Sequence, residues 1–257
     1  MASLSEIAAF LDSTLRTAEI PDFAGALNGI QVETPADIRR IVAAVDAREV
    51  TIEAAHAAGA QLLIVHHGLF WGGVQPVRNA HYRRMRRLLR EDIGVYSSHL
   101  PLDAHAEFGN NPLLARELGL TPSEGFARYE TIDIGVAGRA NVPTAALIER
   151  ASVFAAKYGG TVRHTAAAAG RMTKHWAICT GAGAGADTLR ESRDRGIDTL
   201  IVGEGPHWSA VDAEEQGLVV IYAGHYATEV LGVRAIAEHA ARKFGIEWSF
   251  ADAPTGL

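Results

Sequence analysis

Five residues that lie far apart in the chain have the types and spacings of a metal site: His66, His67, Asp103, His225 and Glu229. His66 and His67 directly follow Leu62, Leu63, Ile64 and Val65, an apolar run that predicts a strand buried on both faces. In parallel α/β sheets, ligands bind beyond the carboxyl ends of the strands. Successive strand side chains point to opposite faces, so both imidazoles serve one site only if the strand ends there and the chain turns, which Gly68 allows. Without a ligand they are two loop histidines. Asp103 stands four residues after His99. Pro101 disfavours helix for the residue before it, so an irregular loop is expected here, with Asp103 reaching a cation or serving as a turn acid or helix cap. His225 and Glu229 enter a helix, where positions i and i+4 share a face and can share an ion; alone, the pair also reads as a surface pair favoured by the helix dipole.

Taken together the three elements point to metal. Imidazole and carboxylate suit Zn, Mn, Fe, Co or Ni better than Ca or Mg. Five ligands exceed the four of a closed tetrahedral site. They suit two divalent ions that share a bridging carboxylate and keep positions open to water, as in two-metal hydrolysis. Glu229, the longer acid, is the expected bridge. Glu204 and His207 fall where the second half of the chain matches His66 and His67, either close behind the ligands, as an acid/base pair, or in a polar loop. With His99 they are the candidate catalytic residues. Gly181, Gly183 and Gly185 lie between a predicted strand and a predicted helix. They read as a phosphate-cradling turn or as a tight turn needing positive φ; no Lys-Ser/Thr follows, so this is not a P-loop.

These residues need elements to hold them, and the pattern alternates short apolar strands with helices, which argues α/β. Strands are expected at 41–45, from 95, at 131–137, 176–179, 200–202, 219–222 and 246–250. Helices are expected at 1–16, 50–58, 80–91, 112–118, 144–157, 188–195 and 229–244. The helix at 80–91 carries five arginines, a solvated face or a subunit contact. The chain also repeats itself. The stretch 59–65 before His66 is echoed by 196–202 before Gly203, and 95–99 by 221–225. An acid follows each later histidine by four residues, and Gly119 and Gly245 follow the two acids by sixteen. One compact unit over 1–257 is expected, with repeats at about 37–120 and 172–250 and no inserted middle domain.

The 257 residues suffice for a substantial core. A net charge of −6 gives no basic stripe for a phosphate backbone and argues against nucleic acid as the main partner. The single Cys179 cannot form an internal disulfide, and no apolar run is long enough to cross a bilayer. The start reads as an amphipathic helix and not a signal peptide, so a cytoplasmic protein is expected.

At this point the chain resembles the YbgI-like, Nif-three-like family of dinuclear metal proteins, often called GTP cyclohydrolase I type 2. The resemblance rests on Leu63 to Gly68, on Ser98 to Asp103, on Val202, Gly203, Glu204 and His207, and on Gly224, His225 and Glu229. It spans from about Asn28, Gly29, Ile30, Gln31 and Val32 to Phe244. It implies a duplicated, intertwined α/β fold with mixed sheets and metal ligands at His66, His67, Asp103, His225 and Glu229. It also implies a ring-shaped homohexamer, its sites facing an interior cavity, acting on a small-molecule substrate. Two features depart from the family pattern. Phe23 to Leu27 replaces an acidic stretch that carries a tryptophan, and Gly68 stands after the paired histidines where a proline or related residue is usual. Two functions follow as expectations, a metal-dependent hydrolase or a non-enzymatic regulatory or scaffold protein.

Overall fold

Apolar residues at helical spacing begin the chain, and the structure, a computed structural model that describes residues 2–257, folds them as α1 (Leu4–Leu15). Leu4, Ile7, Ala8, Leu11 and Leu15 share its buried face. Ser3 and Glu6 close its start as a reciprocal capping box, and Arg16 ends it in the left-handed region. Met1, the first residue of the helix expected at 1–16, lies outside the described residues. There follow β1 (Gly29–Val32), β2 (Arg40–Asp46), α2 (Glu49–Ala57), β3 (Leu62–His67), α3 (Asn79–Arg90), β4 (Gly94–Ser97), α4 (Leu100–Asp103) and α5 (Asn110–Glu117). Then come β5 (Glu124–Tyr129), β6 (Ile132–Pro143), α6 (Thr144–Ala156), β7 (Arg163–His164), β8 (Met172–Cys179), α7 (Ala186–Asp194), β9 (Thr199–Val202), α8 (His207–Glu215), β10 (Val219–Tyr222), α9 (His225–Phe244) and β11 (Glu247–Phe250).

The packing divides these residues into two compact units, Met1–His105 with Gly232–Ala253, and Ala106–Leu231 with Pro254–Leu257. Sequence patterning leads to an expectation of one unit over 1–257; in the structure each sheet gathers its own core. In the first unit the sheet order is β1-β4-β3-β2-β11. Strands β11, β2, β3 and β4 are parallel, and β1 closes the edge antiparallel to β4. Its core gathers Val42, Ile52, Leu63, Val65, Leu88 and Val95. In the second unit the order is β5-β6-β8-β9-β10-β7. Here β8, β9 and β10 are parallel, while β5, β6 and β7 run antiparallel to their neighbours. Trp176 and Ile178 enter one core and Ala177 the other, as expected of a strand covered on both faces.

The fold is therefore α/β with two mixed sheets. The parallel triplets β2-β3-β4 and β8-β9-β10 share order and direction. Helices α2 and α7, which feed β3 and β9, are each followed by a glycine in the left-handed region, Gly59 at φ 66° and Gly196 at φ 65°. The carboxyl ends of both triplets carry the residues singled out above.

Several local expectations are corrected. The segment with Pro101 is a helical turn, α4, and not an irregular loop. Proline is tolerated in a first turn, where its missing N–H has no partner to lose. The amide of Asp103 donates to the His99 carbonyl at 3.0 Å and closes that turn. Strand β3 continues through His66 and ends at His67. Helix α9 begins at His225, four residues before the expected start at 229. Strand β5 and helix α8 were not anticipated; α8 has little apolar periodicity and buries only Ser209 and Ala213. The arginines of α3 are partly neutralised within their own unit, with Arg83 paired to Glu49 and Arg87 to Glu53 on α2. Among the described residues no helix is long and apolar enough to cross a membrane.

Candidate metal centre

In the first unit three imidazoles converge at the ends of β3 and β4. His66 is fully buried, and His67 and His99 are partly buried. Ring centroids lie 4.7 Å apart for His66 and His67, 4.9 Å for His66 and His99, and 5.7 Å for His67 and His99. One ring nitrogen of each lies within 4.8 Å of the others, close enough to hold a metal ion. Asp103, 7% exposed, brings Oδ2 to 3.4 Å from His66 Nε2.

Each ring is fixed from behind. His66 Nδ1 lies 3.0 Å from the Ser98 carbonyl, His67 Nδ1 3.0 Å from Asp46 Oδ1, and His99 Nδ1 2.8 Å from Asp22 Oδ1. A carbonyl or carboxylate oxygen can only accept, so Nδ1 carries a proton, and in the neutral ring Nε2 keeps its lone pair. Metal-binding histidines are typically held this way. Asp46 ends β2 directly beside His67 in the strand register. Asp22 also accepts from the Phe23 amide at 2.7 Å and from Asn28 Nδ2 and the Leu100 amide at 2.8 Å each. Burial pushes the Asp22 carboxyl up, but the hydrogen bond and charge of His99, with Asn28 and the Leu100 amide, outweigh it and hold the group below the ordinary aspartate value. Gln31 accepts from the Leu69 amide at 2.7 Å and donates to the Ala26 and Leu27 carbonyls, tying the turn after His67 to the segment that carries Asp22.

In the second unit His225 and Glu229 share one face of the first turns of α9, with His225 Nε2 3.1 Å from Glu229 Oε2. Glu229 is 3% exposed. His225 Nδ1 lies 2.8 Å from Glu204 Oε1. Burial pulls the His225 pKa down, but the Glu229 and Glu204 carboxylates overcome it and lift the imidazolium to about 9. A place that holds a proton so firmly is one whose field favours a cation.

The glycine run beside this pair resolves as a tight turn. Gly181 has φ 62°, and a Cβ there would stand 2.2 Å from Glu229 Oε1 and 3.4 Å from His225 Nε2. A Cβ on Gly183 would stand 2.0 Å from the Cys179 carbonyl oxygen. Both glycines serve close approach, and Gly181 keeps open the space in front of the carboxylate. Within the second unit Glu204 is brought to His225. His207 is instead exposed at the first residue of α8, and among the described residues no hydrogen bond or ion pair joins it to the group. Sequence reasoning does not find Asp22, Asn28, Gln31 and Asp46. Asp46 leaves a signal, an acid at the carboxyl end of the strand preceding the His-His strand. Asp22 leaves none, because a bend in an irregular segment brings it to His99.

Parallel α/β units with anchored imidazoles and buried carboxylates at their strand ends define a class of proteins whose clusters can bind metal ions. Residues 2–255 match the Duf34/NIF3 (NGG1p interacting factor 3) family, and the chain belongs to that family. It is 40% identical over 252 residues to the GTP cyclohydrolase 1 type 2 homolog of Deinococcus radiodurans, covering 98% of this chain and 94% of that one. The Pyrococcus abyssi protein of the same name is also 40% identical, with 98% of each chain covered. Among solved structures, protein ybgI, described as of unknown function, superposes with a TM-score of 0.89 at 33% identity, covering 99% of this chain and all of that one.

Proposed function

We propose that the protein is a metal-dependent hydrolase with two divalent ions held by His66, His67, Asp103, His225 and Glu229. One observation carries the proposal: His66, His67 and His225 each have Nδ1 fixed by an oxygen acceptor, which leaves Nε2 as the ligand atom, and His66 and His225 bring Nε2 beside a buried carboxylate. The donor set is nitrogen and oxygen, which suits Zn, Fe, Mn, Co or Ni. Gly181 fits the same purpose, since any side chain there would occupy the face of Glu229 that a cation needs. When bound, such ions supply Lewis acidity to a substrate oxygen and acidify water near neutral pH.

The chain's own residues do the rest. Asp46 and the Ser98 carbonyl orient the His67 and His66 rings, and Glu204 orients His225, so Glu204 acts as a positioning residue. His99, its Nδ1 held by Asp22, is placed to take a proton from water or return one to a leaving group through Nε2. Among the described residues His207 has no such anchor. The substrate is a small molecule with a phosphoester, a cyclic amide or a nucleotide's ring bond. By resemblance we also propose a homohexamer in the cytoplasm.

The test is metal analysis of protein purified without chelator, followed by a turnover screen across nucleotides, phosphoesters and cyclic amides. Two ions per chain and turnover abolished by Glu229→Gln are expected. Full activity in that variant would overturn the assignment. The alternative, a regulatory or scaffold protein, is favoured if chelation lowers stability or breaks the oligomer while no substrate class responds.

A further inference from the structure

Two aromatic rings border the imidazole cluster of the first unit, and neither is buried. Trp71 is 38% exposed and Phe23 50%. Trp71 meets His99 edge to face, with centroids 4.7 Å apart and planes at 84°, and meets His67 at 5.6 Å and 78°. Phe23 lies 6.0 Å from His99 and 6.4 Å from Trp71, the two carbocyclic planes tilted by 52°. Aromatic pairs that satisfy one another stack with an offset or meet at right angles. This pair is tilted between the two arrangements.

The placement of the two rings is built into the backbone. Phe23 heads a turn closed by the Ala26 amide to the Phe23 carbonyl at 2.9 Å, and Trp71 lies in a turn closed by the Gly73 amide to the Phe70 carbonyl at 2.8 Å. The two turns press together at Gly25, where a Cβ would stand 2.9 Å from the Trp71 carbonyl oxygen. Asp22, the residue before Phe23, is locked by its four donors. Two costly apolar rings are thus held in water, beside the Nε2 atoms assigned to metal binding and proton transfer. Small-molecule sites combine aromatic walls with a few convergent polar groups in this way.

We infer that Trp71 and Phe23 form a stacking wall that takes the face of a flat conjugated heterocycle, the part of the substrate that places its reactive bond over the imidazoles. The inference rests on the hydrolase reading for the reactive bond only; ring recognition belongs to the wall itself. It makes Trp71 the main specificity-determining residue, because its ring meets both His67 and His99 edge to face.

The experiment is calorimetric titration of the full-length protein as purified. Adenosine, cytidine and nicotinamide mononucleotides are each compared with ribose 5-phosphate, which carries the same phosphate and sugar but no ring. At least one ring-bearing probe should bind tighter than ribose 5-phosphate by roughly 5- to 150-fold, the range for stacking one base on an aromatic side chain. Trp71→Ala should remove most of that margin, Trp71→Phe should keep much of it, and metal content should stay unchanged in both. No margin for any of the three rings, or a margin untouched by Trp71→Ala, would overturn the inference. A ring margin lost in Trp71→Ala, beside full turnover in Glu229→Gln, would leave the wall standing while the hydrolase reading falls. Intact turnover of ring-free substrates with no ring preference would do the reverse.

Discussion

Substituting Gly181 by alanine separates the candidate metal centre from ordinary backbone strain. Gly181 holds φ 62°, where an L-residue costs about 1–2 kcal/mol. Gly196 holds φ 65° with nothing within 4 Å of where a methyl carbon would stand, so Gly196→Ala carries the backbone cost and nothing else. At Gly181 the methyl carbon would also lie 2.2 Å from Glu229 Oε1 and 3.2 Å from Glu229 Cδ. Ordinary contact needs about 3.5 Å, so the carboxylate must retreat by roughly 1 Å. Ligand distances tolerate only about 0.2 Å. Glu229 is 3% exposed and lies 3.1 Å from His225 Nε2, so that retreat also disrupts its ion pair with His225. Both variants should fold, with melting temperatures lowered by roughly 2–4 °C per kcal/mol lost. Gly196→Ala should keep the metal content of the parent protein, and Gly181→Ala should lose most of it. Elemental analysis after gel filtration, beside a thermal melt, reads both quantities. Equal metal content in the two variants would refute the reasoning, because it would mean that the space in front of Glu229 holds no ion.

Asp22→Asn should cost more stability than Asp46→Asn in urea denaturation. The first turns an amide NH₂ toward two inward-pointing donors, each then unsatisfied at about 1–3 kcal/mol, whereas Asp46 makes one such bond and its side chain is 30% exposed; equal midpoints would contradict this. Tyr96 gives the pH dependence. Burial and the nearby Asp12 charge push its phenol far above the usual value of about 10, and its hydroxyl donates to Asp12 Oδ1 at 2.8 Å. A raised folded-state pKa means that this contribution is complete below about pH 10 and is lost as pH rises further, since only the unfolded chain ionises there. Tyr96→Phe should therefore cost about 1.5–3 kcal/mol at neutral pH and flatten the alkaline fall in melting temperature, and an unchanged slope would count against it.

Much of this is legible in the sequence because it rests on local rules. Val65 and Val202 end runs too apolar to be anything but strands covered on both sides, and Gly59 and Gly196 mark the helix ends that feed them. His225 and Glu229 meet because four residues make about one helical turn. The rest depends on partners distant in sequence. Asp22 reaches His99 across 77 positions and Gln31 reaches Leu69 across 38, and no periodicity announces either. The helical turn at Pro101 escapes for a different reason. Proline breaks a helix in its interior, but Pro101 stands in the first turn, two residues after the cap His99.

The two units carry different residues at comparable places after their parallel strands. Aligning 59–65 with 196–202 sets His66 against Gly203 and His67 against Glu204. A Cβ on Gly203 would stand 2.6 Å from the Gly181 carbonyl oxygen, 2.7 Å from Thr228 Oγ1 and 2.8 Å from His225 Cα. The second unit therefore has no room for a side chain where the first presents His66. At the next position the first unit presents an imidazole, His67, and the second an acid, Glu204, which holds an imidazole, His225. His99, the counterpart of His225, must then find its carboxylate elsewhere, and Asp22 supplies it from outside the repeat. Both units thus place a carboxylate-held imidazole after the third strand of the parallel triplet, with an acid one helical turn on. They differ after the middle strand's apolar run, where one unit has a pair of imidazoles and the other a glycine beside the acid that anchors the ring.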